Sequence, residues 1–159
     1  MSYIEQLRQV IGHRKIIAPG VRAVIRDAAG RVLLQRRGDF GTWGLPAGGL
    51  ERDETVAAAL AREVLEETNL RVLRAVPFGI YSNPDYSITY PNGDQTQPFT
   101  VAFLVEEWAG ELAADGDESL ELAFFALDAL PPPERLHPPH RQALRDFQTF
   151  LDTGRLVVD

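Results

Sequence analysis

Glu54, Arg62, Glu63, Glu66 and Glu67, all between Gly48 and Leu70, are the residues of this chain whose types and spacing can do chemistry. On an α-helix at about 100° per residue, Glu63, Glu66 and Glu67 share an arc of about 100°, with neighbouring Cβ atoms about 5–6 Å apart. Three like charges held that close repel. In a partly buried cluster their pKa values shift unless a cation neutralises them. A divalent ion is the natural partner, and an all-oxygen donor set favours Mg2+, Mn2+ or Ca2+ over zinc or copper. The competing role is structural: Arg62 and Glu66, one turn apart, suit an ordinary surface ion pair. That accounts for two residues but not for the Gly48-Gly49 pair, Glu54 and the Arg62-Glu63-Val64-Leu65-Glu66-Glu67 run together. Gly48 has no Cβ, so its carbonyl can approach an ion or a phosphate closely.

Other side chains join this set. Arg36 and Arg37 end a strand-like stretch that points into a glycine-rich loop, where a guanidinium can hold a terminal phosphate in bidentate fashion; plain surface charge is the alternative. Tyr81, Tyr86, Tyr90 and Phe99 flank the polar segment 83–98, and Tyr86 is the residue expected to bind substrate there by stacking on a nucleobase. Packing of these rings against a sheet is the competing role. His137 and His140 straddle Pro138-Pro139 and suit a loop and helix start more than a metal pair, with no third ligand nearby. The sequence contains neither a Gly-Lys-Ser/Thr phosphate loop nor a Gly-x-Ser-x-Gly turn.

These residues need elements to hold them. Ile4, Leu7, Val10 and Ile11 fall at helical spacing and predict a short leading helix. Residues 16–26 and 31–36 read as strands, and the turn Asp27-Ala28-Ala29-Gly30 predicts that they form a hairpin. Residues 38–49, with five glycines and Pro46, are too punctuated for regular structure and deliver the chain to a helix over 55–68. Val56, Leu60 and Val64, flanked by Ala57, Ala61 and Leu65, form an apolar ridge that must lie against a sheet. Further strands are expected over 71–81, 99–107 and 121–126, then a closing helix over 138–152 with Leu144, Phe147, Phe150 and Leu151 inward. Strands interleaved with helices predict a mixed sheet with helices on both faces.

The central segment resembles the Nudix box: Gly48, five residues, Glu54, seven residues, Arg62-Glu63-Val64, one residue, Glu66-Glu67, one residue, Asn69-Leu70. Asn69 is the departure, standing where the family usually has a glycine that ends the helix in the left-handed region; asparagine tolerates that region better than most residues. Trp43-Gly44-Leu45-Pro46 leads in as in many Nudix hydrolases, and Asp53 occupies another position usually held by glycine. Looser similarity extends over most of the chain, notably Tyr90-Pro91-Asn92-Gly93-Asp94 and Asp117-Glu118-Ser119-Leu120-Glu121, and is to a bacterial, MutT-like subgroup.

The resemblance implies a Nudix-type α/β/α sandwich with a mixed β-sheet between helices, with residues 1–159 as a single domain. It implies that Glu63 and Glu67 bind metal, that Glu66 commonly joins them, and that Glu54 pairs with Arg62 to fix the helix and the catalytic carboxylates. The general base comes from different places in this family; one favoured loop, before a late strand, is where Glu118 falls, and Glu121 is the second candidate. Pro84 lies near where ADP-ribose-cleaving members carry a proline. The implied activity is Mg2+- or Mn2+-dependent hydrolysis of a nucleoside diphosphate linked to a group X: ADP-ribose or another nucleotide sugar, a nucleoside triphosphate, or a dinucleoside polyphosphate. The competing reading is a non-catalytic nucleotide-sensing module, which the full set of glutamates disfavours. Family members often pair, so a homodimer stays open.

Composition narrows the classes further. A chain of 159 residues with 45% hydrophobic and 25% charged content suits one domain with a single core. No apolar run approaches a membrane span, and the N-terminus lacks the apolar core of a signal peptide. Cysteine is absent, which excludes disulfides, thiol nucleophiles and Cys-ligated zinc. Without an export signal the expected location is cytoplasmic. A net charge of −7 argues against a nucleic-acid polymer as partner but not against a small nucleotide, whose phosphates a metal can neutralise locally.

Overall fold

A computed structural model describes residues 1–159. Helix α1 (Tyr3–Ile11) is followed by strands β1 (Ile16–Ile25), β2 (Val32–Arg37), β3 (Trp43–Gly44) and β4 (Ala47–Gly49). Helix α2 (Val56–Thr68) leads to β5 (Arg71–Tyr81), β6 (Ile88–Thr89), β7 (Gln95–Ala109) and β8 (Ser119–Phe125). Helix α3 (Pro138–Thr153) and the short strand β9 (Val157–Val158) complete the order. No helix is long and apolar enough to cross a membrane.

The main sheet has the order β4-β1-β7-β5-β9, with β6 added to β7. It is mixed: β1 runs parallel to β7 and β5 parallel to β9, whereas β4 meets β1 antiparallel and both β5 and β6 meet β7 antiparallel. Successive side chains of a strand point to opposite faces, and β1 is apolar on both. Val21, Ala23 and Ile25 pack with Ala59, Leu60 and Val64 of α2, while Val24 packs with Leu144 and Phe147 of α3. One helix therefore covers each face, giving the α/β/α sandwich. A second sheet, β3-β2-β8, flanks this core.

The strands pair differently from the local pattern. β1 and β2 form no hairpin ladder; a single bridge joins Arg26 and Val32 across the turn. Both edges of β1 are already taken by β4 and β7, so β2 crosses into the second sheet. Within residues 38–49, expected to be irregular, β3 and β4 each add a short ladder. The lone strands β6 and β9 have no sequence signal beyond their partners, and β7 begins at Gln95, earlier than its apolar pattern.

Helix α2 is set at both ends. Thr55 caps its N-terminus by accepting from the Ala58 amide, and Asn69 closes it at φ 62°, as the resemblance implied. The Asn69 amide group also donates to the Glu111 carbonyl, 2.9 Å. Asp53, likewise in place of a family glycine, has φ 60°. The buried stripe of α2 is Ala59, Leu60, Glu63, Val64, Glu67 and Thr68. Val56 and Leu65, expected on the inner ridge, are exposed, because the stripe runs along 59/60, 63/64 and 67/68. In α3, Leu144 and Phe147 are buried and Phe150 packs against the core, but Leu151 faces outward.

Helix α1 buries no residue. Ser2 and Glu5 form a reciprocal capping box. The Tyr3 amide donates to Glu51, 2.8 Å, and Arg8 donates to the Gln95 carbonyl, 2.8 Å. Helix α1 thus straps the loop before α2 to the start of β7.

An L-residue without asparagine's tolerance of the left-handed region pays roughly 1–2 kcal/mol there. Asn69→Ala is accordingly expected to lower unfolding free energy by about 1–2 kcal/mol and Asn69→Gly by less, read from urea midpoints at constant m-value.

Candidate active site

Arg62 is the hub of the site. Its guanidinium grips Glu54 in bidentate fashion, Nε to Oε1 at 2.8 Å and Nη2 to Oε2 at 2.8 Å. It also donates to the Gly49 carbonyl at 2.9 Å and to Glu63 Oε1 at 2.7 Å. Glu54 in turn accepts from the Glu51 amide at 3.0 Å, tying the loop before α2 to the helix. Hydrogen bonding from Arg62 holds the Glu54 carboxyl down at about 2, and the same bonds hold Arg62 above its ordinary value.

Glu63 and Glu67, one turn apart, lie on the sheet-facing stripe of α2, 8% and 3% exposed. Burial raises both, Glu67 to about 8. Glu67 accepts from the Ala47 amide at 2.9 Å, which offsets part of that cost. Gly48 explains itself by space: a Cβ there would overlap the Glu63 carboxylate. The Gly48 carbonyl oxygen is directed at Gly20 of β1, with Gly48 paired opposite Val21.

Glu66 does not join this pair. It lies off the buried stripe, its side chain 57% exposed, and reaches back to Arg62 at 3.3 Å. No three acidic or histidine side chains meet in a ready-made metal cage, so the expected convergence of Glu63, Glu66 and Glu67 is reduced to two carboxylates with a third beside them.

Two connected clefts adjoin the carboxylates, sharing Arg37, Ala47 and Tyr90. One contains Glu67, Glu118 and Asp117. Glu118 sits in the loop before β8; burial and then the neighbouring Asp115, Glu66 and Asp117 raise its pKa. Arg37 reaches this cleft while gripping Asp39 at 2.7 and 3.0 Å. Burial opposes its charge, and the Asp39 carboxylate outweighs burial, raising Arg37 above its ordinary value.

Arg36 points elsewhere. It pairs with Glu121 at 3.1 Å on the exposed side of the β2–β8 ladder, which takes both residues away from the clefts. Neighbours along a strand face opposite ways, so only one of the two arginines can serve. Tyr86 lies in a short 3-10 turn, Pro84–Tyr86, and its hydroxyl donates to Gln142 at 3.3 Å; it lines a neighbouring groove, and Tyr90 takes the cleft position.

Arg22 is a cleft residue with no sequence signal; Tyr90, one of the four rings expected beside the polar segment, and His140, expected as helix-start structure, line the same cleft. His140 Nδ1 accepts from the Leu45 amide at 2.8 Å, and burial holds the ring well below its ordinary pKa, so it is neutral. Burial likewise lowers His137 to about 4. Their rings meet edge to face at the start of α3.

The donor set fits a hard divalent cation. Glu63 and Glu67 offer carboxylate oxygens in a buried wall where burial alone favours their protonation. Glu67 ionises near 4.5 when unfolded and near 8 when folded without metal, so its favourable contribution to stability is complete below 4.5 and is lost as pH rises through 8. Metal-free protein is expected to melt lower at pH 8 than at pH 5 by more than Glu67→Gln does. Mg2+ should raise the wild-type melting temperature more at pH 8 than at pH 5, and equal increments would remove Glu67 from the metal site.

The comparisons with known proteins agree with this geometry. Residues 17–147 match the family model described as the NUDIX domain. An ADP-ribose pyrophosphatase of Methanocaldococcus jannaschii is 33% identical over 135 residues, covering 84% of this chain and 74% of that protein. A Bacillus subtilis protein named as a candidate 8-oxo-dGTP diphosphatase is 26% identical over 147 residues, covering 87% and 91%. The crystal structure of a MutT NUDIX hydrolase from Burkholderia pseudomallei superposes with a TM-score of 0.69 at 31% identity, covering 82% of this chain and 98% of that one. The chain belongs to the NUDIX family and is a hydrolase of phosphoanhydride bonds.

Proposed function

We propose that the protein, as one domain over residues 1–159, hydrolyses the pyrophosphate link of a small nucleotide, a nucleoside diphosphate joined to a group X, with Mg2+ or Mn2+ as cofactor. The observation that carries this reading is buried Glu67, with Glu63 one turn before it on the same stripe of α2, lining a cleft that also holds Arg37 and Glu118. The ion supplies charge for the phosphoryl oxygens and lowers the pKa of the attacking water. Glu63 and Glu67 would hold it, with Glu66 beside them on the exposed side of the helix. Arg62, fixed by Glu54, orients Glu63 and draws Gly49 against the helix. Glu118, with its raised pKa, accepts the proton of the attacking water, and Arg37 steadies a phosphate across the cleft. Tyr90 is placed to meet the nucleoside.

The names of the two relatives above span ADP-ribose and a nucleoside triphosphate, and other relatives are named for NAD-capped RNA or RNA, so X is set by experiment. The net charge of −7 favours a small nucleotide over a polymer, and a cytoplasmic location suits such a substrate.

A panel of ADP-ribose, a nucleotide sugar, nucleoside triphosphates and a dinucleoside polyphosphate, assayed with Mg2+ and Mn2+ and with both products separated chromatographically, tests the reading. Turnover of at least one member is expected. Tight calorimetric binding without product would instead make this a sensing module. Glu67→Gln is expected to lose about 2–4 kcal/mol of transition-state stabilisation, about 30- to 900-fold in kcat/KM. Glu118→Gln should remove the acidic limb of the pH–rate profile, and an unaltered profile would move the base elsewhere.

A further inference from the structure

Arg22 is a buried cation without an acid. It stands in β1 among apolar residues, on the face of the sheet that carries α3, and is 4% exposed. A guanidinium has five N–H donors. Arg22 uses one, Nη1 to the Pro139 carbonyl at 3.2 Å, and its Nε is buried with no partner. The other cleft arginines, Arg37 and Arg8, are paired with Asp39 and Asp94, but no carboxylate lies within ion-pairing distance of Arg22. Beneath it lies the Tyr81 ring, centroid at 5.8 Å, whose hydroxyl is also unpartnered. Burial lowers the guanidinium to about 10, which leaves it charged at neutral pH.

Buried charges in folded proteins are normally paired, because the loss of hydration is otherwise uncompensated. Arg22 lines a cleft of about 320 Å3 whose wall includes Gly48 and Gly49 and which continues, past Arg37 and Tyr90, into the cleft of Glu67 and Glu118. The floor around Arg22 is small and polar: Gly20 lies two residues before it on β1, and Thr100 of β7 pairs opposite Gly20. His140, neutral and held by the Leu45 amide, borders the same space and adds no competing charge.

We propose that Arg22 is a specificity-determining residue that receives a phosphate group of the substrate beyond the pyrophosphate held at Glu63 and Glu67. Building on the pyrophosphohydrolase reading above, this selects substrates with three or more phosphates, a nucleoside triphosphate or a dinucleoside polyphosphate, over ADP-ribose, whose two phosphates both belong to the scissile link. An Arg22 that waits for a ligand also differs from a structural arginine in what its removal does. Replacing an unpaired buried charge with an apolar side chain of similar length is neutral or stabilising in the free protein, whereas removing a structural partner destabilises.

The test separates binding from turnover. Inorganic phosphate is titrated calorimetrically into wild type, Arg22→Met and Arg22→Lys in the presence of EDTA, and melting temperatures are taken in phosphate-free buffer. A charge-assisted contact of this kind predicts at least about tenfold weaker phosphate binding in Arg22→Met and a smaller loss in Arg22→Lys, with no fall in the melting temperature of Arg22→Met. Unchanged phosphate affinity, or a lower melting temperature in both variants without loss of phosphate affinity, overturns the proposal. Should Arg22→Met fail to fold, Arg22→Lys still decides, because unaltered phosphate binding there with a native melting temperature rejects a role for the guanidinium fork. In the activity arm, the preference for a triphosphate over ADP-ribose, as a ratio of kcat/KM values, is expected to fall at least about tenfold through KM, and an unchanged ratio overturns the substrate assignment. Wild type that turns over no nucleotide would defeat the hydrolase reading, while the phosphate titration would still decide whether Arg22 binds an anion.

Discussion

Two carboxylates on the inner face of a helix set the terms for everything around them. Glu63 and Glu67 occupy the stripe of α2 that packs on the sheet, where side chains of their kind are rarely found without partners. The fold answers each differently. Glu63 receives Arg62, which is itself locked by Glu54, and gains its space from the missing side chain of Gly48. Glu67 receives the Gln35 side chain and the Ala47 amide but no cation of its own, and burial keeps it reluctant to ionise. A wall so built is uncomfortable by itself and becomes comfortable when positive charge arrives, which is the condition for a site that turns over a polyanion with a cation's help.

Charge is divided across the clefts on the same logic. The acids sit at the helix side, Glu67 and Glu118 together, and the cations at the sheet side, Arg37 and Arg22. Arg37 is internally balanced by Asp39, so it can release or keep a phosphate at modest cost, while Arg22 has no such counterweight. On the reading proposed above, a chain of phosphates laid between them would meet the carboxylates at one end and a guanidinium at the other. The overall charge of −7 therefore coexists with a local preference for anions.

Much of this was legible in the chain. The glutamate spacing located the site, Thr55 and Asn69 marked the ends of α2, and the pattern of residues 16–26 marked a strand. What escaped depended on register and partner choice. Arg36 and Arg37 are adjacent letters, and only the pairing of β2 with β8 decides which one turns inward. Tyr86 and Tyr90 look equivalent until a 3-10 turn carries the first away. The hairpin between β1 and β2 does not form because β4 and β7, each distant in sequence, claim both edges of β1. Glu66 looks equal to its neighbours on a helical wheel, yet a shift of one position takes it to the solvent side. Arg22 carries no signal, since one charge inside an apolar strand reads as a solvent-facing residue when the opposite layer is unknown.

Helix α1 contributes to the rim of the Arg22 cleft through Ile4 and Arg8, yet it buries nothing of its own and is moored by polar bonds to Glu51 and Gln95. Such a mooring opens at far less free energy than the core. The entrance on that side is consequently bordered by a helix held through hydrogen bonds and an ion pair and not through the core, so its width depends on those polar contacts more than on either sheet.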